Sequence, residues 1–290
     1  MASVYDQRPQ THPALKSLQE RFFPFSAQMY PTTFAGQYHA LPVRTATGGV
    51  RQVAITRYQS GFSNEMNAEK GRLVKHIRKW HGSALPADLD SWLHTTRPVA
   101  VFAGHGLPEE ISLLCEQALK TGYLSEADLP GWAWRWIGLD CNGFVCFYYL
   151  KLGTFSRVLH KHVQYPSVTR LAESVSEVEY DSCVLWAAKK AGSSTLWRVK
   201  NNPSEDGAHI AVVHSWYEYG SSLWISERGG SNRFKGHVGL HTGIYDVLDA
   251  PPAGAVGAAA VWRVRSRTPL HDGKGTQSEH VLITRRMQAY

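Results

Sequence analysis

Apolar residues recur at helical spacing through the first half of the chain and alternate in strand fashion through the second. Leu15, Leu18 and Phe22 mark a helix over 12–23 that Pro24 ends; the polar residues 1–12 predict no element. Gly48–Gly49 predicts a turn leading into a strand near 50–58. Residues 63–82 form a longer helical pattern, with Met66, Leu73, Val74, Ile77 and Trp80 as its apolar stripe. The rest of that surface is basic: Lys70, Arg72, Lys75, Arg78 and Lys79. The short apolar run RPVAVFAG, 97–104, predicts a strand. Residues 107–122 predict a helix, with Pro108 at its start, Glu109 and Glu110 in its first turn and Gly122 closing it. From Cys141 a further helix runs to Leu152, with Phe144, Val145, Tyr148 and Tyr149 on its apolar side and Gly153 at its end. The stretch 154–179 is mixed and is read as helix or loop.

After residue 180 the period changes. DSCVLWAA (181–188), STLWRVK (194–200), AHIAVVHSWY (208–217), SLWISER (222–228) and AAAVWRVRSR (258–267) read as strands, and VLITRR (281–286) as an edge. The Ala/Gly/Pro stretch at 250–260 reads as a loop, and no internal repeat is visible. The order of elements predicts an α+β fold in which a helical segment is followed by a mostly antiparallel sheet.

Composition narrows the class. The chain has 290 residues, 43% of them hydrophobic and 19% charged, with ten Trp; this is a globular composition, long enough for one large or two small domains. Lys and Arg exceed Asp and Glu by 31 to 24, so the surface favours anionic partners such as an acidic cell-wall polymer. The basic face of 63–82 lacks interleaved aromatics; a solvated surface explains it more simply than nucleic-acid binding, and no nucleic-acid partner is expected. The four cysteines (Cys115, Cys141, Cys146 and Cys183) have neither zinc-ligand nor redox-pair spacing, which suits a reducing compartment. No metal-binding or phosphate-loop motif occurs, and no cofactor is expected. The N-terminus has no apolar signal segment and no run is long enough to span a membrane. The expectation is a protein made in the cytoplasm.

The candidate chemistry centres on Cys141. A thiol that opens a helix lies beside free amides and the positive end of the dipole, which favour thiolate and a developing oxyanion. Helical spacing alone is equally met by a packed thiol. Cys115, among Ile111, Leu114 and Ala118, and Cys146, between Val145 and Phe147, read as core thiols. Of fourteen histidines, His209 stands at the mouth of an apolar strand, His214 has the opposite strand parity, and His237 and His241 flank a Gly-rich turn.

The segment LDCNGFV, 139–145, resembles the nucleophile motif of NlpC/P60 cysteine peptidases, papain-like enzymes that cleave peptidoglycan stem peptides. His209-Ile210-Ala211-Val212-Val213 resembles that family's second signature, and DSCVLW (181–186) its preceding strand. The resemblance covers about 110–267. It implies a papain-like core, with a central helix packed on an antiparallel sheet, in 106–290, and an accessory region of unknown role in 1–105. It implies Cys141 as nucleophile and His209 as base. The third residue falls on the strand after His209, where Ser226 and Glu227 compete; a carboxylate accepts the imidazole N–H more strongly, so Glu227 is chosen. Asp140, Asn142, Trp134, Trp136 and Ser226 are the expected substrate contacts. Because the stripe of 63–82 needs a partner, 1–105 is expected to pack on the hydrolase unit and shape access.

The function implied is cleavage of an amide bond in peptidoglycan stem peptides through an acyl-enzyme, without metal. The same pair of motifs fits a transamidase or deamidase acting on protein, or an acyl hydrolase acting on lipid. A non-catalytic binding module on the same fold is the remaining class. A wall hydrolase without a signal peptide implies phage association or export by a non-classical route, with a delivery or immunity partner.

Overall fold

The computed structural model describes residues 12–22, 30–154, 159, 161–167, 169–200, 205, 207–219, 222–231, 239–269 and 278–286. Its first half is helical: α1 Pro13–Phe22, α2 Pro31–His39, a hairpin of β1 Leu41–Arg44 and β2 Val50–Val53, then α3 Asn64–His81, α4 Ala87–His94, α5 Arg97–Phe102, α6 Pro108–Lys120, α7 Leu129–Trp136 and α8 Cys141–Lys151. The second half holds β3 Cys183–Lys189, β4 Trp197–Val199, β5 Ile210–Tyr219, β6 Ser222–Ser231, β7 Gly239–Asp249, β8 Trp262–Ser266 and β9 Ser278–Ile283. The mixed stretch after α8 contributes a 3-10 turn, His162–Ser167. Among the described residues no helix is long and apolar enough to cross a membrane.

The sheet is antiparallel, in the order β4-β3-β5-β6-β7-β8-β9, and β3 also pairs with β9. That extra pairing closes six strands on themselves and leaves β4 at the edge, so most of the sheet escapes an exposed edge. Strand alternation then makes two cores. Val184, Trp186, Ala211, Val213, Tyr245, Trp262, Val264, Val281 and Ile283 pack together on the inner face. Cys183, Leu185, Ile210, Val212 and Leu282 lie on the other face, in one core with α8, α6 and the helices before residue 105. All eleven residues of α8 are buried, which explains why its sequence is apolar around its whole circumference.

Three local expectations change. Residues 97–102 are the helix α5, not a strand: the run is too short for its period to decide, and Pro98 presets a helical first turn. Residues around His241 belong to the eleven-residue strand β7, not to a turn; His241, Thr242 and Asp246 break its apolar pattern, and His237 lies outside the described residues. On α3 the buried positions are Met66, Glu69, Leu73 and Ile77. Trp80 is 52% exposed, its ring facing the Lys120 ammonium. Glu69 takes the inward place because three donors meet it: Trp132 Nε1 at 2.6 Å, Tyr123 Oη at 2.8 Å and Arg72 Nη2 at 2.5 Å.

Two buried ion pairs anchor the start of α6. Arg97 binds Glu110 and Lys151 binds Glu109 at 2.6 Å, all four side chains nearly solvent-free. Arg97 Nη2 also donates to the His105 carbonyl at 3.1 Å, and Glu110 accepts from Leu107 N at 2.9 Å. The loop 103–107 is thereby fixed between α5 and α6.

The tightest backbone contact in that loop is at Gly104, which has φ +90° and whose missing Cβ would overlap the Gln59 carbonyl oxygen. Gly104→Ala is therefore expected to cost about 2–4 kcal/mol of stability, through both overlap and strain. Gly36→Ala, in α2 with open space at the Cβ position, should be neutral or slightly stabilising. Urea midpoints of the two variants check this; similar midpoints would refute the packing assigned to Gly104.

Candidate functional site

The start of α8 is framed by backbone. Tyr58 forms a parallel bridge with Leu139; Gln59 N donates to Leu139 O, and Leu139 N to Arg57 O, both at 3.0 Å. Asp140 N donates to Gly104 O at 3.1 Å. Gly143 lies so close to Gly104 that a Cβ there would overlap the Gly104 carbonyl oxygen. Three segments distant in sequence thus converge on one helix start.

Asp140 is the N-cap of α8: its Oδ1 accepts from Gly143 N, and its Oδ2 is 3.2 Å from His105 Nε2. It was expected to contact substrate; instead it is 4% exposed and engaged in capping. Asn142 is likewise buried. Its Nδ2 donates to Leu159 O at 2.9 Å and its Oδ1 accepts from Tyr165 Oη at 3.1 Å, so its side chain ties α8 to the segment that follows it.

Cys141 is the first residue of α8, with 1% of its surface exposed. Its sulfur is met by the backbone amides of Ile210, Asn142 and Cys141 itself, and by the Tyr58 hydroxyl. His162 Nε2 lies 3.7 Å from Sγ. Burial, reinforced by Asp140, nevertheless pushes the thiol well above its ordinary range, and the amides only partly offset this. Burial and then His209 push His162 down to about 4, against the opposing pull of Asp140 and the Lys200 backbone. The resting site is a neutral thiol beside a neutral imidazole, not the partial thiolate expected from a helix N-terminus alone.

His209 is also buried, at 2% exposure, and precedes β5, whose first amide reaches Cys141 Sγ. Its ring packs edge-on to Trp186 at 4.7 Å and lies roughly parallel to that of His241 at 6.4 Å. Its parity is that of Ala211 and Val213, which belong to the inner core of the sheet. His162 and His209 are close enough to act electrostatically on each other.

The strand ladder moves the third position. Glu227 pairs with Val213 and Ser226 with Ser215. These partners lie four and six residues beyond His209, or about 13 and 20 Å along the strand. Neither Glu227 nor Ser226 is level with His209, because the pairing runs on from Val212–Arg228 and is shifted by a bulge between Val213 and Ser215. Trp134 and Trp136 stand on α7. Trp134 is 63% exposed with the Arg57 guanidinium over its ring; Trp136 is half-buried against the core. Arg57 precedes Tyr58, so this aromatic surface adjoins the segment that reaches Cys141.

Tyr58, His105 and His162 were not picked out from the sequence. Tyr58 stood at the end of the expected strand near 50–58 with no feature marking it for chemistry, and His162 lies in the mixed 154–179 stretch. Only His105 carried a signal, standing between two glycines in a short loop. Among the described residues no group of three or more His, Cys, Asp or Glu side chains is placed to hold a metal ion.

The buried neutral His162 has a consequence for pH. Its folded-state value, about 4, lies below the ordinary 6.5, so the unfolded chain binds more protons between them. The corresponding stabilisation is fully present above pH 6.5 and is lost as pH falls toward 4, by about 3 kcal/mol in total. His162→Gln should flatten this part of the acid limb. Urea titrations of wild type and variant at pH 7.5 and 4.5 measure it; equal pH sensitivity in both proteins would contradict the burial of a neutral ring.

Comparison with protein-family models, curated proteins and solved structures gave no match.

Proposed function

We propose that the protein is a cysteine hydrolase of papain-like type, with Cys141 as nucleophile and an amide as the bond cleaved. The observation that carries this reading is the 3.7 Å approach of His162 Nε2 to Cys141 Sγ at a helix N-terminus where backbone amides converge on the sulfur. A buried helix packed on an antiparallel sheet supports the papain-like reading of the fold. The sequence motifs around Cys141 and His209 favour peptidoglycan stem peptides as the substrate class.

In this mechanism the Cys141 thiol gives its proton to His162 Nε2, and the thiolate attacks the substrate carbonyl carbon. As the sulfur bonds to carbon and loses its charge, the amides of Cys141 and Asn142 that met it become donors for the developing oxyanion. The imidazolium returns its proton to the leaving nitrogen, the C–N bond breaks and a thioester remains. Water, deprotonated by the same imidazole, releases the acid and restores the thiol. Because the resting thiol and imidazole are both neutral, entry of substrate must supply part of the driving force for proton transfer.

A second reading assigns the proton-accepting role to His209, favoured by the contact between the Ile210 amide and Cys141 Sγ. The orienting role expected of Glu227 draws no support from the strand register.

Mass spectrometry of purified peptidoglycan incubated with the protein is the direct test, with glutamine-bearing proteins and lipid esters as parallel substrates. Cleavage should fall on the order of 10³-fold or more for Cys141→Ala and for His162→Ala. His209→Ala should cost about tenfold, through lost packing and altered electrostatics. An inactive His209→Ala with a near wild-type His162→Ala transfers the base role to His209. Undiminished turnover by Cys141→Ala eliminates the cysteine mechanism altogether.

A further inference from the structure

The basic face of α3 is not a uniformly solvated surface. Arg72 is tied to Glu69, and Lys79 projects away as an exposed side chain. Lys70, Lys75 and Arg78 instead converge with His94 on a cleft of about 490 Å³ between α3, the end of α4 and the start of α5. Val74 and Leu93 supply apolar wall. Gly71 keeps one side open, since nothing lies within 4 Å of its Cβ position.

The charge in this cleft is unbalanced. No carboxylate lines it among the described residues. Asp90 reaches Arg78 Nε at 3.1 Å and stands 3.4 Å from His94 Nδ1, answering one of the three permanent cations. Lys75 has no ion-pair partner among the described residues, and Lys70 is placed over the Phe62 ring at 6.0 Å. Arg78 Nη2 is shut off from solvent with no hydrogen-bond partner among the described residues, although a buried guanidinium nitrogen ordinarily has one. A concave site of one sign focuses potential and concentrates counter-ions.

We infer that this cleft is a binding site for a small, multiply charged phosphate-bearing anion. Two ammonium groups and a guanidinium edge match several phosphate oxygens at once. The volume lies in the range of small-ligand sites, and the concave form between three helices suits a compact soluble anion better than a flat lipid surface. The inference is independent of the chemistry assigned to Cys141.

Isothermal titration of the full chain with sodium tripolyphosphate tests it, with phosphatidylglycerol vesicles as a second arm and thermal unfolding as a second readout. Tripolyphosphate should bind and raise the unfolding temperature. Affinity should drop at least about tenfold in Lys70→Ala/Lys75→Ala and change less than about twofold in Lys79→Ala, which removes a charge from the same helix outside the cleft. Alanine is a strong helix former at such positions, so the variants should fold. Equal weakening by both variants would reduce the binding to general surface charge and overturn the site. So would absence of tripolyphosphate binding, or binding to vesicles alone.

Discussion

The contact on which the site depends is the meeting of three backbones at the start of α8. Asp140 N bonds the Gly104 carbonyl, and that carbonyl occupies space a side chain at 143 would fill. Residues 57–59 close the third side through Leu139. Such an approach demands glycine at 104 and 143, because any Cβ would meet backbone oxygen rather than a movable side chain. It fixes the N-cap, and the N-cap fixes Cys141. The same arrangement delivers Tyr58 to the sulfur and His105 to Asp140, so residues before 106 take part in the site as well as in the core. The buried pair Arg97–Glu110 then holds the His105 loop from behind.

Burial explains the electrostatic character of this site. A helix start offers amides to an anion, yet Cys141 lies among Tyr58, Ile210 and the His162 imidazole with 1% of its surface exposed. In that buried setting the desolvation cost of a thiolate exceeds the gain from the dipole, and the same cost keeps His162 neutral. The three other cysteines are free and buried. Cys115 and Cys146 are each pushed up to about 12 by burial. What separates Cys141 from them is its place at a helix start with an imidazole beside the sulfur, not a lower resting pKa.

Legibility in the sequence followed the strength of local signals. α3, α6 and α8 each carry at least one terminal signal together with apolar spacing, and each was readable to within about two residues. The strands β3, β5, β6 and β8 were readable as alternating or continuous apolar runs. β7 was not, because His241, Thr242 and Asp246 interrupt its apolar pattern. Closure of the sheet was also hidden: the pairing of β3 with β9 joins segments about a hundred residues apart, and strand sequences do not name their partners. The helix start at Cys141 was legible for a local reason, the Asp-Cys-Asn-Gly order that caps and tightens a first turn.

The third member of the site shows where such reading stops. Weighing Ser226 against Glu227, with the carboxylate preferred as the stronger acceptor, assumed that the strand after His209 is level with it. Alternation fixes only which face a residue occupies; the level depends on register, and register depends on the turn and on bulges. Here a long hairpin places both candidates up the strand, opposite Val213 and Ser215 with a bulge between them. Meanwhile a histidine from an irregular segment, with no period to betray it, fills the space beside the sulfur. Residues positioned by regular elements were therefore visible one at a time, whereas their assembly was decided by contacts between backbone segments that sequence patterns do not encode.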